Sequence, residues 1–160
     1  MNVLTFEDIL SRDGTLVYRT RGVSMEPMLR QNRDLVVIRV PSSRLKKFDV
    51  ALYRRGREYV LHRVIKVCDG HYLIRGDNTY AVETVPDSAV IGVLTGFQRK
   101  GKEHDVGERS YRLYVRLWHA LYPLRHAYVR FRRFAVRAAK KLGVLPYLKR
   151  VLKKGNAKGP

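Results

Sequence analysis

The chain has one cysteine, one tryptophan and, from Arg109 to its last residue, no aspartate or glutamate. A single cysteine excludes an internal disulfide, and no zinc site can be built from it. Cys68 closes an apolar run between Val67 and Asp69, where a small buried or half-buried residue fits. No stretch reaches the roughly 18 to 20 consecutive apolar residues that cross a bilayer. The N-terminus carries Glu7, Asp8 and Asp13 and no long apolar run, so it does not read as a secretory signal. These absences point to a cytoplasmic chain, peripheral at the inner membrane face if its basic end finds lipid. They give no reason to expect a metal or a cofactor.

What is present is a core's worth of apolar residues and an uneven charge. At 160 residues and 45% hydrophobic composition there is room for one ordinary domain and an extension. The formal charge of +19 is carried largely by the C-terminal third, which holds 15 of the 33 basic residues and none of the 14 acidic ones. The expected division is a β-rich domain over residues 1–100 and a basic amphipathic helical tail over 101–160. No internal repeat is evident.

The pattern before residue 100 is one of short strands and tight turns. Residues 2–11 suit a short helix, with Thr5 as N-cap ahead of Glu7 and Asp8. Alternating or β-branched runs follow at 15–20, 34–40, 49–54, 59–67, 71–75 and 89–97, with Asp13-Gly14, Pro41-Ser42-Ser43, Arg55-Gly56-Arg57 and Asp69-Gly70 as breaks. Gly92 and Gly96 leave room for bends or bulges in the last run. The fold class this predicts is mainly β, a small coiled antiparallel sheet.

Three residue types within these runs form a chemical set. Ser24 lies in the Gly/Pro-bounded segment Gly22-Val23-Ser24-Met25-Glu26-Pro27-Met28, His62 in Leu61-His62-Arg63-Val64-Ile65, and Asp77 in Arg75-Gly76-Asp77-Asn78. A serine hydroxyl needs a neighbour to take its proton, and an imidazole doing so needs a partner to fix its tautomer and stabilise its cation. On the strand, His62 shares a side with Val60 and Val64, an apolar setting that keeps the ring neutral and able to accept a proton. Each residue also has an ordinary structural role open to it: a satisfied core histidine, or an Asp in an Asx turn.

Together with Lys47-Phe48-Asp49-Val50-Ala51-Leu52-Tyr53, these segments resemble, in order, the successive boxes of the type I signal peptidases. That family belongs to a serine peptidase clan that includes the self-cleaving repressors and shares a coiled β-sheet fold; the resemblance spans roughly residues 15–97. Most bacterial members place a lysine just before the Arg-Val-Ile of the third box. Here that place is His62, as in the endoplasmic-reticulum type, and Lys66 is a weaker base candidate. The resemblance implies a serine endopeptidase acting on a signal- or leader-peptide-like precursor, with Ser24 as nucleophile, His62 as general base and the Ser24 N–H as oxyanion donor. Gly22 lacks the hydroxyl that some relatives use at that place. It also implies Met25 beside the substrate cleft, Pro27 fixing the turn, and Arg63 in a structural role. The third residue it implies is Asp77, the box match, with Glu83, near where the Ser/His branch carries a further acid, as the runner-up. The family's N-terminal transmembrane helix has no counterpart before Ser24, where only the acidic-leaning 2–13 segment stands. Loss of catalysis with retained peptide binding is the alternative.

Beyond residue 109 the period turns helical. Tyr111, Tyr114, Val115, Trp118, Leu121 and Tyr122 recur at helical spacing up to Pro123, and Leu124, Ala127, Tyr128, Phe131, Phe134, Ala135, Ala138 and Leu142 do so up to Gly143. A third short basic stretch follows at 145–154. Three partners fit such helices: the sheet itself, an anionic membrane surface engaging residues 109–154, or nucleic-acid phosphate, for which no recognisable module is present.

Overall fold

A computed structural model describes residues 4–141. Helix α1 (Phe6–Asp13) begins at the Thr5 N-cap read from the sequence, and the structure adds a capping box: the Asp8 N–H donates to the Thr5 hydroxyl while the Asp8 carboxylate accepts from the Thr5 N–H. Eight strands follow: β1 (Thr15–Arg19), β2 (Leu35–Arg39), β3 (Val50–Arg55), β4 (Glu58–Cys68), β5 (His71–Arg75), β6 (Glu83–Pro86), β7 (Val90–Arg99) and β8 (Lys102–Asp105). Helices α2 (Arg109–Ala120) and α3 (Tyr122–Lys141) complete the described chain.

All strand pairs are antiparallel, and the order is β1-β2-β7-β3-β4-β5-β6, with β8 pairing β7 beyond the end of β3. The sheet is not closed. The β4–β5 hairpin turns through Gly70 at φ 67°, a left-handed conformation that glycine adopts without Cβ strain. Two register shifts lie beside Gly96 and Gly92, where β2 and β3 meet β7, in the run where the glycines predicted bulges.

Strand β3 is buried on both sides and separates two apolar clusters. Val50 and Leu52 join Leu10, Leu16, Met28, Leu29, Val36, Ile38 and Phe97 on one face. Ala51 and Tyr53 join Leu45, Val64, Tyr72, Ile74 and Val85 on the other. Strand alternation sends successive β3 residues to opposite clusters, so no β3 position up to Tyr53 can be polar without a partner.

The compact units divide at Trp118/His119 rather than at 100/101. Strand β8 and α2 through Trp118 group with the sheet, because β8 extends the β7 ladder and Val115 is buried, with Tyr111 and Tyr114 packed on the first cluster. The second unit contains α3. The expected basic stretch at 145–154 lies outside the described residues. Among the described residues no helix is long and apolar enough to cross a membrane, and no cluster of side chains suits a metal ion.

Candidate active site

Ser24 lies in the turns between β1 and β2 and is held from outside that segment by Asn78. The Asn78 N–H donates to the Ser24 carbonyl at 2.8 Å, and its side-chain amide donates to the Val23 carbonyl at 3.1 Å. Met25, Met28 and Leu29 are buried beneath the turn and tie it to the first cluster. The Gly76-Asp77-Asn78 segment therefore clamps the serine turn through Asn78.

Gly76 marks where nucleophile and base approach each other. A Cβ at this position would stand 3.1 Å from His62 Nε2, 3.1 Å from Ser24 Cβ and 2.7 Å from the Ser24 carbonyl oxygen. Ser24 Cβ and His62 Nε2 are thus separated by no more than the first two distances end to end. Among the described residues Ser24 Oγ and His62 Nε2 have no hydrogen-bond partner and do not bond each other; the Ser24 N–H has no partner either. Catalytic hydrogen bonds commonly tighten only when substrate is bound.

The other ring nitrogen is well anchored. His62 Nδ1 lies 3.2 Å from the Tyr53 hydroxyl and 3.4 Å from Glu83 Oε1. The Tyr53 hydroxyl donates its single proton to Glu83 Oε2 at 3.0 Å. Its oxygen can then only accept from the ring, so the network places the imidazole proton on Nδ1 and leaves the lone pair on Nε2. Sheet register builds this contact: Ala51 faces His62 and Tyr53 faces Val60, which makes Tyr53 and His62 diagonal neighbours on one face. Burial is the main influence on His62 and lowers its pKa below the ordinary 6.5, opposed by Glu83 and reinforced by Arg55.

Of the two candidate carboxylates, Glu83 stands at the imidazole and Asp77 does not. Asp77 forms a two-point pair with Arg63, at 2.8 and 2.7 Å, and both side chains have 0% exposure. Arg63 also donates to the Phe48 carbonyl and the Tyr111 hydroxyl at 2.9 and 3.0 Å. Burial works against its charge, but the Asp77 carboxylate overrides this and holds the guanidinium pKa above its ordinary value. The expected role of Asp77 beside the histidine thus becomes one of holding Arg63. The reason is alternation: His62 and Arg63 are adjacent on β4 and point to opposite faces, and Asp77 lies on the arginine's side.

Ser24 and His62 line one groove of about 1160 Å3, whose walls include Thr20, Arg21 and Gly22 after β1 and Glu58 to Leu61 on β4. Met25 and Glu83 line it as well, whereas Pro27, in the same turn as Met25, does not. Three aromatic rings also line it: Phe6 stacks on Tyr59 at 4.4 Å and meets Tyr18 at 5.0 Å. Strand β5 pairs with β4 only from Arg63 onward, so residues 58–62 have a ladder partner on the β3 side alone. Lys66, beyond a register shift in β4, is exposed.

Sequence reasoning assigned no role to Tyr53 or Arg55 and saw Gly76 only as part of a turn. The hairpin at Arg55-Gly56-Arg57 contained the signal for Tyr53, since its register fixes what lies beside His62. Compared with models of known protein families and with curated proteins, the chain matches none.

Proposed function

We propose that this chain is a serine endopeptidase that cleaves a peptide or protein precursor, with Ser24 as nucleophile and His62 as general base. The observation that carries this reading is the gap at Gly76, which Ser24 Cβ and His62 Nε2 border together while Nδ1 is held from behind by Tyr53 and Glu83. The resemblance to the signal peptidases and self-cleaving repressors points the same way.

In the proposed reaction an extended peptide lies along residues 58–62, adding a strand to their open edge. Ser24 Oγ attacks the scissile carbonyl carbon and its proton passes to His62 Nε2. Glu83 stabilises the imidazolium through Nδ1, and the Ser24 N–H, uncommitted among the described residues, donates to the oxyanion. His62 then returns the proton to the leaving amine as the C–N bond breaks. Water, activated by His62, hydrolyses the acyl-serine and restores the hydroxyl.

The test is incubation of the full chain with a broad peptide library, read by mass spectrometry beside Ser24→Ala. A parallel single-turnover arm looks for cleavage of the chain itself. Products from the native chain and none from Ser24→Ala are expected; identical silence from both in both arms removes the enzymatic reading. The missing Ser24–His62 hydrogen bond favours one second reading, a peptide-binding protein without turnover. That reading requires peptide binding to survive Ser24→Ala.

A further inference from the structure

Helix α3 presents its apolar side to solvent. At about 100° per residue, Leu124, Ala127, Tyr128, Phe131, Phe134, Ala135 and Ala138 fall within an arc of about 120°. The four large side chains among them are 68%, 65%, 68% and 69% exposed for Leu124, Tyr128, Phe131 and Phe134. Outside that arc Val129 is half-buried and Val136 is exposed. A large apolar face thus stands uncovered on a helix with exposed arginines on both flanks. Helix α2 repeats the feature by itself: Tyr111, Tyr114 and Val115 pack on the sheet domain, while Leu113 and Leu117 are exposed beside Arg109, Arg112 and Arg116.

Charge narrows what can cover such a face. Residues 109–141 contain no acidic side chain, and Arg130, Arg132 and Arg137 are exposed on α3. A second copy of the helix would set arginine against arginine along both flanks. Nucleic acid would satisfy the charge but has no continuous apolar layer for Leu124, Phe131 and Phe134. A bilayer with anionic headgroups supplies both, with acyl chains below and negative charge at the level of the guanidinium groups.

We propose that α3 lies in the plane of an anionic lipid membrane, with the Leu124–Tyr128–Phe131–Phe134 face in the acyl boundary and its arginines among the headgroups. This surface is independent of the Ser24/His62 chemistry and stands whether or not the chain is a peptidase. The helix has 20 residues, so about 30 Å of it is available to lie along the surface.

The test is sedimentation of the full chain with vesicles of phosphatidylcholine alone and of phosphatidylcholine with about one third phosphatidylglycerol, beside F131E and the triple change R130Q/R132Q/R137Q. At such exposed positions circular dichroism should match the native chain. Native binding to the anionic vesicles is expected to exceed binding to neutral ones at least tenfold. F131E should lose most of it, and the triple change should weaken it about fivefold per charge removed. Binding by F131E equal to native, or a native chain that stays in the supernatant with both vesicles, overturns the proposal. So does a result in which vesicles are ignored while single-stranded RNA is shifted at matched salt, or in which F131E converts a dimer into a monomer in sedimentation velocity.

Discussion

The assignment of Asp77 and Glu83 to different tasks can be separated by one substitution at each. Asp77→Asn keeps the side chain's shape but removes the charge that balances Arg63, leaving a guanidinium with 0% exposure next to a neutral amide. Breaking a buried pair from one side costs about 3–5 kcal/mol. The lower end applies here, because Asn can still accept one hydrogen bond and Arg63 keeps the Phe48 carbonyl at 2.9 Å. For a chain of this size each kcal/mol moves Tm by about 2–4 °C, so a fall of about 6–12 °C is expected by calorimetry. Glu83→Gln acts on a side chain 27% exposed and should leave Tm nearly unchanged. Its effect belongs to catalysis, a loss of about 10²-fold in kcat as the imidazolium loses its counter-charge. Asp77 influences His62 only after burial, Glu83 and Arg55, so Asp77→Asn should shift the acid limb of the pH profile less than Glu83→Gln does. The reasoning is refuted if Asp77→Asn keeps the native Tm but abolishes turnover, while Glu83→Gln is silent.

Other outcomes follow from the same geometry. Gly76→Ala places a Cβ 2.7 Å from the Ser24 carbonyl and 3.1 Å from His62 Nε2, so the serine turn must move; turnover of the best library peptide should fall at least about 10²-fold, with about 1–3 kcal/mol lost in urea unfolding. Because burial lowers the His62 pKa below 6.5, the base stays neutral into mildly acidic solution, and the acid limb of kcat/KM should lie below pH 6.5. Glu83→Gln removes the opposing upward influence and should move that limb lower still. The same shift bears on stability: the unfolded chain binds the proton more readily, so the contribution of neutral His62 is full above pH 6.5 and is lost as pH falls through the folded value. Unfolding curves of His62→Gln and the native chain should therefore converge on acidification. Tyr53→Phe removes the hydroxyl between Nδ1 and Glu83, costing about 1 kcal/mol of stability; combined with Glu83→Gln it should lose less activity than the two changes separately predict.

Much of the sheet was legible because its strands carry their own signals. Residues 71–75 were read with the bounds they have, and the runs at 34–40, 49–54 and 59–67 were displaced by a residue at one or both ends. Strands β6 and β8 were not read, for a plain reason: Glu-Thr-Val-Pro is too short to alternate, and Lys-Glu-His-Asp has no apolar residue at all. Both exist because a neighbouring strand offers its ladder, β5 to one and β7 to the other. The helices beyond residue 109 announced themselves by period, but period alone does not say which face a helix turns inward.

At the site, sequence alone brought out Ser24 and His62, since a nucleophile in a tight turn and a histidine on an apolar strand face are local facts about residue type and spacing. It also put Asp77 ahead of Glu83 as the histidine's carboxylate, and the structure reverses that order. Only the tertiary structure separated them. Strand alternation sends His62 and Arg63 to opposite sides of β4, and the sheet order then sets Glu83 beside the first and Asp77 beside the second. Tyr53 and Gly76 owe their roles to register and close approach, which depend on where segments distant in sequence meet and leave no mark in a single stretch of residues.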